Sequence, residues 1–258
     1  MNPTCLATGL SKSYGKTQAL INLNLKIEAG SIYGLIGPNG AGKTTSLAVL
    51  AGLIQPTSGA AWILGRKVRA GCRELASKVG FCSPQFPLLD YLTGLEMLSA
   101  CGLLHGLARH EVRTRTEDLL DLMDLQPAAG QFICHYSQGM RRKIGLACAL
   151  VHGPEVLLLD EPFHGLDPIS VYRLVSLFRR LAAGGRTIVL SSHDMALVER
   201  LCHRAGILHK GVLQKEITIS AQGVPGAQIR SAAAPDSVLE SALWEVVGTP
   251  VTKQISWM

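Results

Sequence analysis

The chain of 258 residues is 47% hydrophobic and 17% charged, enough apolar material for one large α/β domain or one domain with appendages. Its formal charge of +6 suits anionic partners, but a solvated basic face explains it equally, so charge alone selects no function. No stretch reaches the roughly 18 apolar residues of a spanning helix, and "MNPTCLATGLSKSYG" lacks the apolar segment of a signal peptide, so a cytosolic chain that does not itself cross a membrane is expected.

Residues 4–10 and 19–27 read as strands. In the second, "NLNLKI" alternates polar and apolar residues, as a half-buried antiparallel sheet requires. A strand at 32–36 runs into Gly37, Pro38, Asn39, Gly40, Ala41, Gly42, Lys43 and Thr44, which fit G-x-x-x-x-G-K-[ST]. That pattern is a phosphate-binding loop, and the helical character of residues 44–53 supplies its strand–loop–helix context. Further short strands are predicted at 60–64 and 79–83.

Residues 92–117 turn helical. Thr93 and Glu96 form a capping box ahead of Leu95, Leu98, Leu103 and Leu104. A second helix over 110–125 aligns Val112, Leu119, Leu120 and Met123, and a third spans 138–152. Together they read as a helical subdomain inserted at about 88–152. The α/β core resumes with "VLLLDE", a buried apolar strand ending in Asp160 and Glu161. Magnesium needs oxygen ligands near phosphates, and the first carboxylate can supply one directly or through water. The second can take a proton from an attacking water. A helix over 170–183, a strand from 187, a helix over 195–202 and a hairpin turning at Lys210 and Gly211 follow. "SAAAP", from Ser231, reads as a linker. Residues 236–248 read as a helix with an apolar stripe of Val238, Leu239, Ala242, Leu243 and Val246. The seven cysteines include no C-x-x-C and sit mostly among apolar residues, so reduced core thiols are expected and a metal cluster is not.

With these motifs in this order, the chain resembles the nucleotide-binding subunits of ATP-binding-cassette (ABC) transporters. "SPQ", ending at Gln85, is similar to the family's Q-loop, and "YSQGM", residues 136–140, to its L-S-G-G-Q signature. "GLDP", residues 165–168, is similar to its D-loop, and His193 in "SSHD" to its switch histidine. The resemblance covers residues 4–216. It implies a P-loop NTPase core with an antiparallel β subdomain and an inserted α-helical subdomain within 1–216. A C-terminal extension at 217–258 would hold the linker and one helix.

The same resemblance implies ATP and Mg2+ as cofactors. Lys43 would reach the β- and γ-phosphates, and Thr45 would lie near the α-phosphate. Thr44, Asp160 and Gln85 would serve the metal. Glu161 would orient and deprotonate water, with Gln85 sensing that water and His193 touching the γ-phosphate. Tyr14 falls where the family places an aromatic under adenine; the alternative is a strand-end tyrosine. Ser137 can cap the helix that follows it. Arg141, Arg142 and Lys143 then crowd a helix start, where cations oppose the dipole and a facing anion offsets the cost. The family supplies that anion as the γ-phosphate of a second ATP-binding subunit, held by Ser137 and Gly139. Tyr136 replaces the signature's usual Leu and Gln138 its first Gly, leaving the geometry across the interface open. His164 receives no role.

The tail resembles that of export-type subunits that pair with separate ABC-2-type permeases. A transmembrane permease is therefore the expected membrane partner, with the chain peripheral on the cytoplasmic face. Phe86, Leu88, Leu89, Tyr91 and Leu92 either receive a permease helix or belong to the core. The alternative is a soluble ABC ATPase of DNA repair, chromosome organisation or translation. Its usual coiled coils or second cassette are not seen in this sequence, and no nucleic-acid partner is expected.

Overall fold

Two strands open the fold, β1 (Cys5–Tyr14) and β2 (Thr17–Ile27), paired antiparallel in a hairpin. They belong to a computed structural model that describes residues 3–219 and 237–247. Next come β3 (Ile32–Ile36), α1 (Lys43–Leu50), β4 (Ser58–Ile63), β5 (Arg66–Lys67), α2 (Arg73–Ala76) and β6 (Val79–Cys82). The helical segment is α3 (Gly94–Leu104), α4 (Arg109–Leu122), two single 3-10 turns and α5 (Gln138–Leu150). The chain closes with β7 (Val156–Asp160), α6 (Pro168–Ala183), β8 (Thr187–Ser191), α7 (Met195–Leu201), β9 (Arg204–His209), β10 (Val212–Thr218) and α8 (Val238–Val247).

The strands form two sheets. One is antiparallel, in the order β2-β1-β4-β5. The other has the order β10-β9-β3-β8-β7-β6 and is parallel except for its β9–β10 edge. Every residue of β3, β7 and β8 is buried, which explains their continuous apolar runs. Successive side chains point to opposite faces, and each face meets a different core. Tyr33, Leu35, Val156, Leu158 and Val189 join α1 and the antiparallel sheet. Ile32, Ile36, Leu157, Leu159, Ile188 and Leu190 join the helices on the other side.

The helical segment shares that second core: Leu98, Leu120 and Ile144 lie in the same cluster as Leu157 and Phe178. α5 is the crossover from β6 to its parallel neighbour β7, and it lies close on β6. A Cβ on Gly80 would sit 2.2 Å from the Ala149 carbonyl oxygen, so glycine is what permits this approach. The predicted capping box is present. Glu96 N–H donates to Thr93 Oγ1 at 3.2 Å, and Thr93 N–H donates to Glu96 Oε2 at 2.8 Å. The long helical stretch divides because Gly106, at φ +82°, ends α3 before α4 begins.

Several expectations change in detail. β5 and α2 were not foreseen, since two and four residues carry no readable period. In α8, Leu239 and Ala242 are buried but Val238 is 68% exposed, so the stripe is narrower than predicted. Glu199 of α7 anchors the start of that helix, accepting from Ser237 Oγ and from Leu239 N–H. "SAAAP", Asp236 and Gly248 lie outside the described residues. Cys5, Cys82, Cys148 and Cys202 are buried as expected, but Cys134 is exposed. Burial pushes the thiols of Cys5, Cys82 and Cys202 up to about 12. Among the described residues no helix is long and apolar enough to cross a membrane.

Phe178 is fully buried on α6 and meets Phe163 edge-to-face at 5.7 Å, tying that helix to the turn after β7. Phe178→Ala should destabilise the protein by about 3–5 kcal/mol. Urea unfolding followed by far-UV circular dichroism checks it; an unchanged midpoint would show that this contact anchors nothing.

Candidate active site

Leu35 of β3 pairs with Ser191 of β8, and Ser191 pairs with Asp160 of β7. The three strands therefore end in one row. The chain leaves this edge into the glycine-rich loop, into Glu161 and into Ser192–His193. In open parallel sheets, ligands sit at this carboxyl edge.

The glycine-rich loop is shaped by what surrounds it. At Gly37 (φ +150°) a Cβ would lie 2.2 Å from the Leu208 carbonyl oxygen, and at Gly42 (φ +107°) 2.5 Å from that of Ala19. Only glycine combines these angles with this close packing. Asn39 and Gly40 stand exposed at the tip, while Ala41 is buried beneath. Lys43 folds back over the loop: its Nζ donates to Gly37 O at 2.7 Å and to Pro38 O at 3.1 Å. Burial lowers the Lys43 pKa, and the nearby carboxylates of Glu161 and Asp160 oppose that shift. Thr45 is half-buried on α1.

Asp160 is 4% exposed and hydrogen-bonded on both oxygens. Thr44 Oγ1 donates to its Oδ2 at 2.7 Å, and Ser191 Oγ donates to its Oδ1 at 2.5 Å. Ser191 Oγ also accepts from Glu161 N–H at 2.9 Å. Sequence reasoning missed Ser191. The signal was present in "TIVLSS", where an apolar strand ends in hydroxyls level with Asp160. The pair of Thr44 and Asp160 offers hard oxygen donors, the set that suits Mg2+.

Glu161 adopts φ +48°, a left-handed conformation uncommon outside glycine and typical of functional sites. This turn aims its carboxylate at His193, whose Nδ1 donates to Oε2 at 2.9 Å. His164, given no role from sequence, lies edge-to-face with His193 at 5.6 Å.

Among the described residues, the other expected residues make no hydrogen bond to this cluster. Gln85 is exposed on the loop after β6, three residues past Cys82, the partner of Leu159. Among the described residues, no hydrogen bond joins Gln85 to Thr44 or Asp160. Tyr14 is 50% exposed at the end of β1, with Lys12 Nζ 5.0 Å from its ring centre. Ser137 caps α5 by accepting from Met140 N–H at 3.2 Å. Beside it, a Cβ on Gly139 would lie 3.2 Å from Gly165 O.

The expectation drawn from the α5 charges is narrowed, because two of the three cations are paired and Arg142 has no ion pair among the described residues. Arg141 pairs with Asp90 at 2.6 Å and donates to Ile133 O at 3.0 Å, and Lys143 lies 3.7 Å from Asp167. Arg141 and Lys143 thus have partners within the chain and do not by themselves call for an external anion. The apolar cluster divides: Phe86, Leu88 and Leu92 pack on the core, while Leu89 is 41% and Tyr91 71% exposed. A cavity of about 310 Å3 lies between this loop, α5 and the 164–165 turn, lined by Pro84, Phe86, Gln138, Arg141 and His164 among others.

A phosphate loop after one buried parallel strand, beside a strand-end Asp-Glu pair, places the fold in the P-loop NTPase class. Comparison with known proteins narrows this. Residues 20–164 match the family model described as ABC transporter. An uncharacterized ABC transporter ATP-binding protein of Nostoc sp. is 40% identical over 200 residues, 77% of this chain and 59% of that protein. The bacitracin transport ATP-binding protein BcrA of Enterococcus faecalis is 36% identical over 212 residues, 82% of this chain and 68% of that protein. The Nod factor export ATP-binding protein I of Sinorhizobium fredii is 39% identical over 205 residues, 79% of this chain and 60% of that protein. The fold superposes on an ATP-binding subunit of an ABC transporter with TM-score 0.78 and 31% identity, covering 84% of this chain and 90% of that one. A dimeric cassette in a post-hydrolysis state bound to ADP and Pi gives TM-score 0.78 at 28% identity, covering 83% and 98%. The chain belongs to the ABC transporter family.

Ser191→Ala would leave Asp160 Oδ1 and the Glu161 N–H without their partner. Stability should fall by about 1–3 kcal/mol. Thermal unfolding at pH 7 measures this; an unchanged midpoint would mean that water replaces the hydroxyl without loss.

Proposed function

We propose that the chain is the ATP-binding and ATP-hydrolysing subunit of a transporter, powering export through a separate transmembrane permease. The observation that carries the ATPase reading is the convergence at one sheet edge. Lys43 folds over the phosphate loop, Thr44 reaches Asp160, and Glu161 is turned onto His193. Two relatives, a bacitracin transport protein and a Nod factor export protein, support transport. The cargo belongs to the permease.

In this reading the loop's N–H groups and Lys43 bind the β- and γ-phosphates, and Thr45 lies near the α-phosphate. Thr44 and Asp160 would hold Mg2+, with Gln85 as a further oxygen donor to it. When bound, that ion neutralises charge developing on the phosphates. Glu161 accepts the proton of the attacking water, and His193 contacts the γ-phosphate. Tyr14 stacks on adenine from the antiparallel sheet. Ser137 and Gly139, at the start of α5, contact the nucleotide of a second subunit, closing a dimer. Leu89 and Tyr91, exposed on the segment between β6 and α3, receive the permease on the cytoplasmic face of the membrane.

Tyr14→Ala should weaken ATP binding by about 1–3 kcal/mol if adenine stacks on the ring. Titration with a fluorescent ATP analogue tests this, and an affinity equal to wild type would make Tyr14 a purely structural residue.

Glu161→Gln keeps the side chain's size but removes the base. Turnover should fall by about 10²–10⁴-fold while Mg-ATP still binds, and the variant should accumulate as an ATP-locked dimer. Steady-state hydrolysis and size exclusion with light scattering, in Mg-ATP and Mg-ADP, measure both effects. Rapid hydrolysis by the variant would move the base elsewhere, and a monomer in both nucleotides would count against the shared site.

A further inference from the structure

We propose that His164 is a positioning residue: it holds the His193 ring in the orientation that directs Nδ1 to Glu161 and leaves Nε2 for the nucleotide. This rests on the reading that Glu161 and His193 act on ATP.

The reasoning starts from exposure. The His193 side chain is 62% exposed, so burial does not fix its ring. Among the described residues two contacts orient its ring: the 2.9 Å hydrogen bond to Glu161 Oε2 and the edge-to-face approach of His164. The rings are 5.6 Å apart at an interplanar angle of 63°, a favourable aromatic arrangement. A single hydrogen bond leaves the ring free to swing about it; a second ring against its face or edge removes that freedom.

His164 is exposed as well, but its backbone is held so that its ring stands beside His193. Its N–H donates to Glu161 O at 3.2 Å, closing a tight turn that brings residue 164 back beside residue 161. Phe163, 8% exposed and packed on Phe178, anchors this turn in the core. The same short segment therefore carries both groups that orient His193.

Orientation decides the chemistry available. A carboxylate only accepts, so the nitrogen facing Glu161 must carry the proton. In the neutral ring, Nε2 is then the acceptor; in the imidazolium both nitrogens donate, and Nε2–H can meet a phosphate oxygen. If the ring flips, Glu161 loses its hydrogen-bond donor and the outward-facing nitrogen changes with it. His164 guards against this flip by packing, not by charge.

The test uses the full-length chain labelled with 15N-histidine. In wild type, the neutral His193 ring should be protonated on Nδ1. His164→Ala should shift it toward the Nε2-protonated form usual for a free imidazole, and His164→Phe, which keeps a ring, should restore the wild-type tautomer. In ATPase assays His164→Ala should lower kcat about two- to tenfold, the scale of one aromatic contact, with KM for ATP unchanged. The loss should vanish in a His193→Ala background. An unchanged His193 tautomer in His164→Ala would overturn the proposal. So would a Phe variant that restores nothing, or a loss that persists without His193. Absence of ATP turnover in wild type would count against the functional reading instead, and the tautomer measurement would still decide the role of His164.

Discussion

A buried carboxylate sits at the end of an apolar strand, and the site is organised around satisfying it. A carboxylate at 4% exposure without hydrogen-bond partners would be costly to bury. Asp160 avoids this through hydroxyls from two different elements, Thr44 on α1 and Ser191 on β8. Each donor requires its element to end at the same height, and the register of β3, β8 and β7 provides that alignment. Ser191 then links the carboxylate to the next residue, since the same oxygen accepts the Glu161 N–H. One side chain thus couples a prospective metal ligand to the residue that faces His193. The left-handed turn at Glu161 is the conformational cost of leaving the strand at that point, and this hydrogen bond helps to hold it.

The phosphate loop depends on tertiary packing as much as on its own glycines. Gly37 faces the Leu208 carbonyl of β9, and Gly42 faces the Ala19 carbonyl of β2. The loop therefore lies between the parallel sheet and the antiparallel one. The two cores meet it differently. Alternate residues of β3 bind it to the antiparallel sheet through Tyr33 and Leu35 and to the helical side through Ile32 and Ile36. A shift of β3 by one residue would exchange these sets and displace the loop from both carbonyls.

Much of this was legible in the sequence because it rests on local patterns. β3 appears at its predicted bounds because five buried residues run directly into a glycine motif. The Thr93–Glu96 cap appears because a capping box is a three-residue relation. Ser191 was not read because its role depends on a pairing 31 residues away in the chain. His164 was passed over for a related reason: its partner His193 is brought to it only by the parallel register of β7 and β8. The pairing of Arg141 and Lys143 was not read because Asp90 and Asp167, their partners, are distant in sequence or lie in a separate turn. Gln85 and Tyr14 were placed by resemblance, and among the described residues neither is hydrogen-bonded to the cluster.

The two departures in the signature concern different parts of the molecule. Tyr136 is 6% exposed, and its hydroxyl donates to Ala128 O at 2.8 Å, so the larger residue occupies the helical core with its polar atom satisfied. Gly94 makes room for it: a Cβ there would lie 2.1 Å from that hydroxyl oxygen. Tyr136 and Gly94 therefore form a matched pair, and restoring Leu at 136 would leave a void rather than repair a defect. Gln138 is different. It is exposed on the first turn of α5 and lines the cavity shared with Arg141 and His164. Tyr136 acts through the packing beneath Ser137, whereas Gln138 acts on the surface beside it. The geometry of Ser137 and Gly139 is thus supported from the core by one substitution, and only the other stands where a second subunit could meet it.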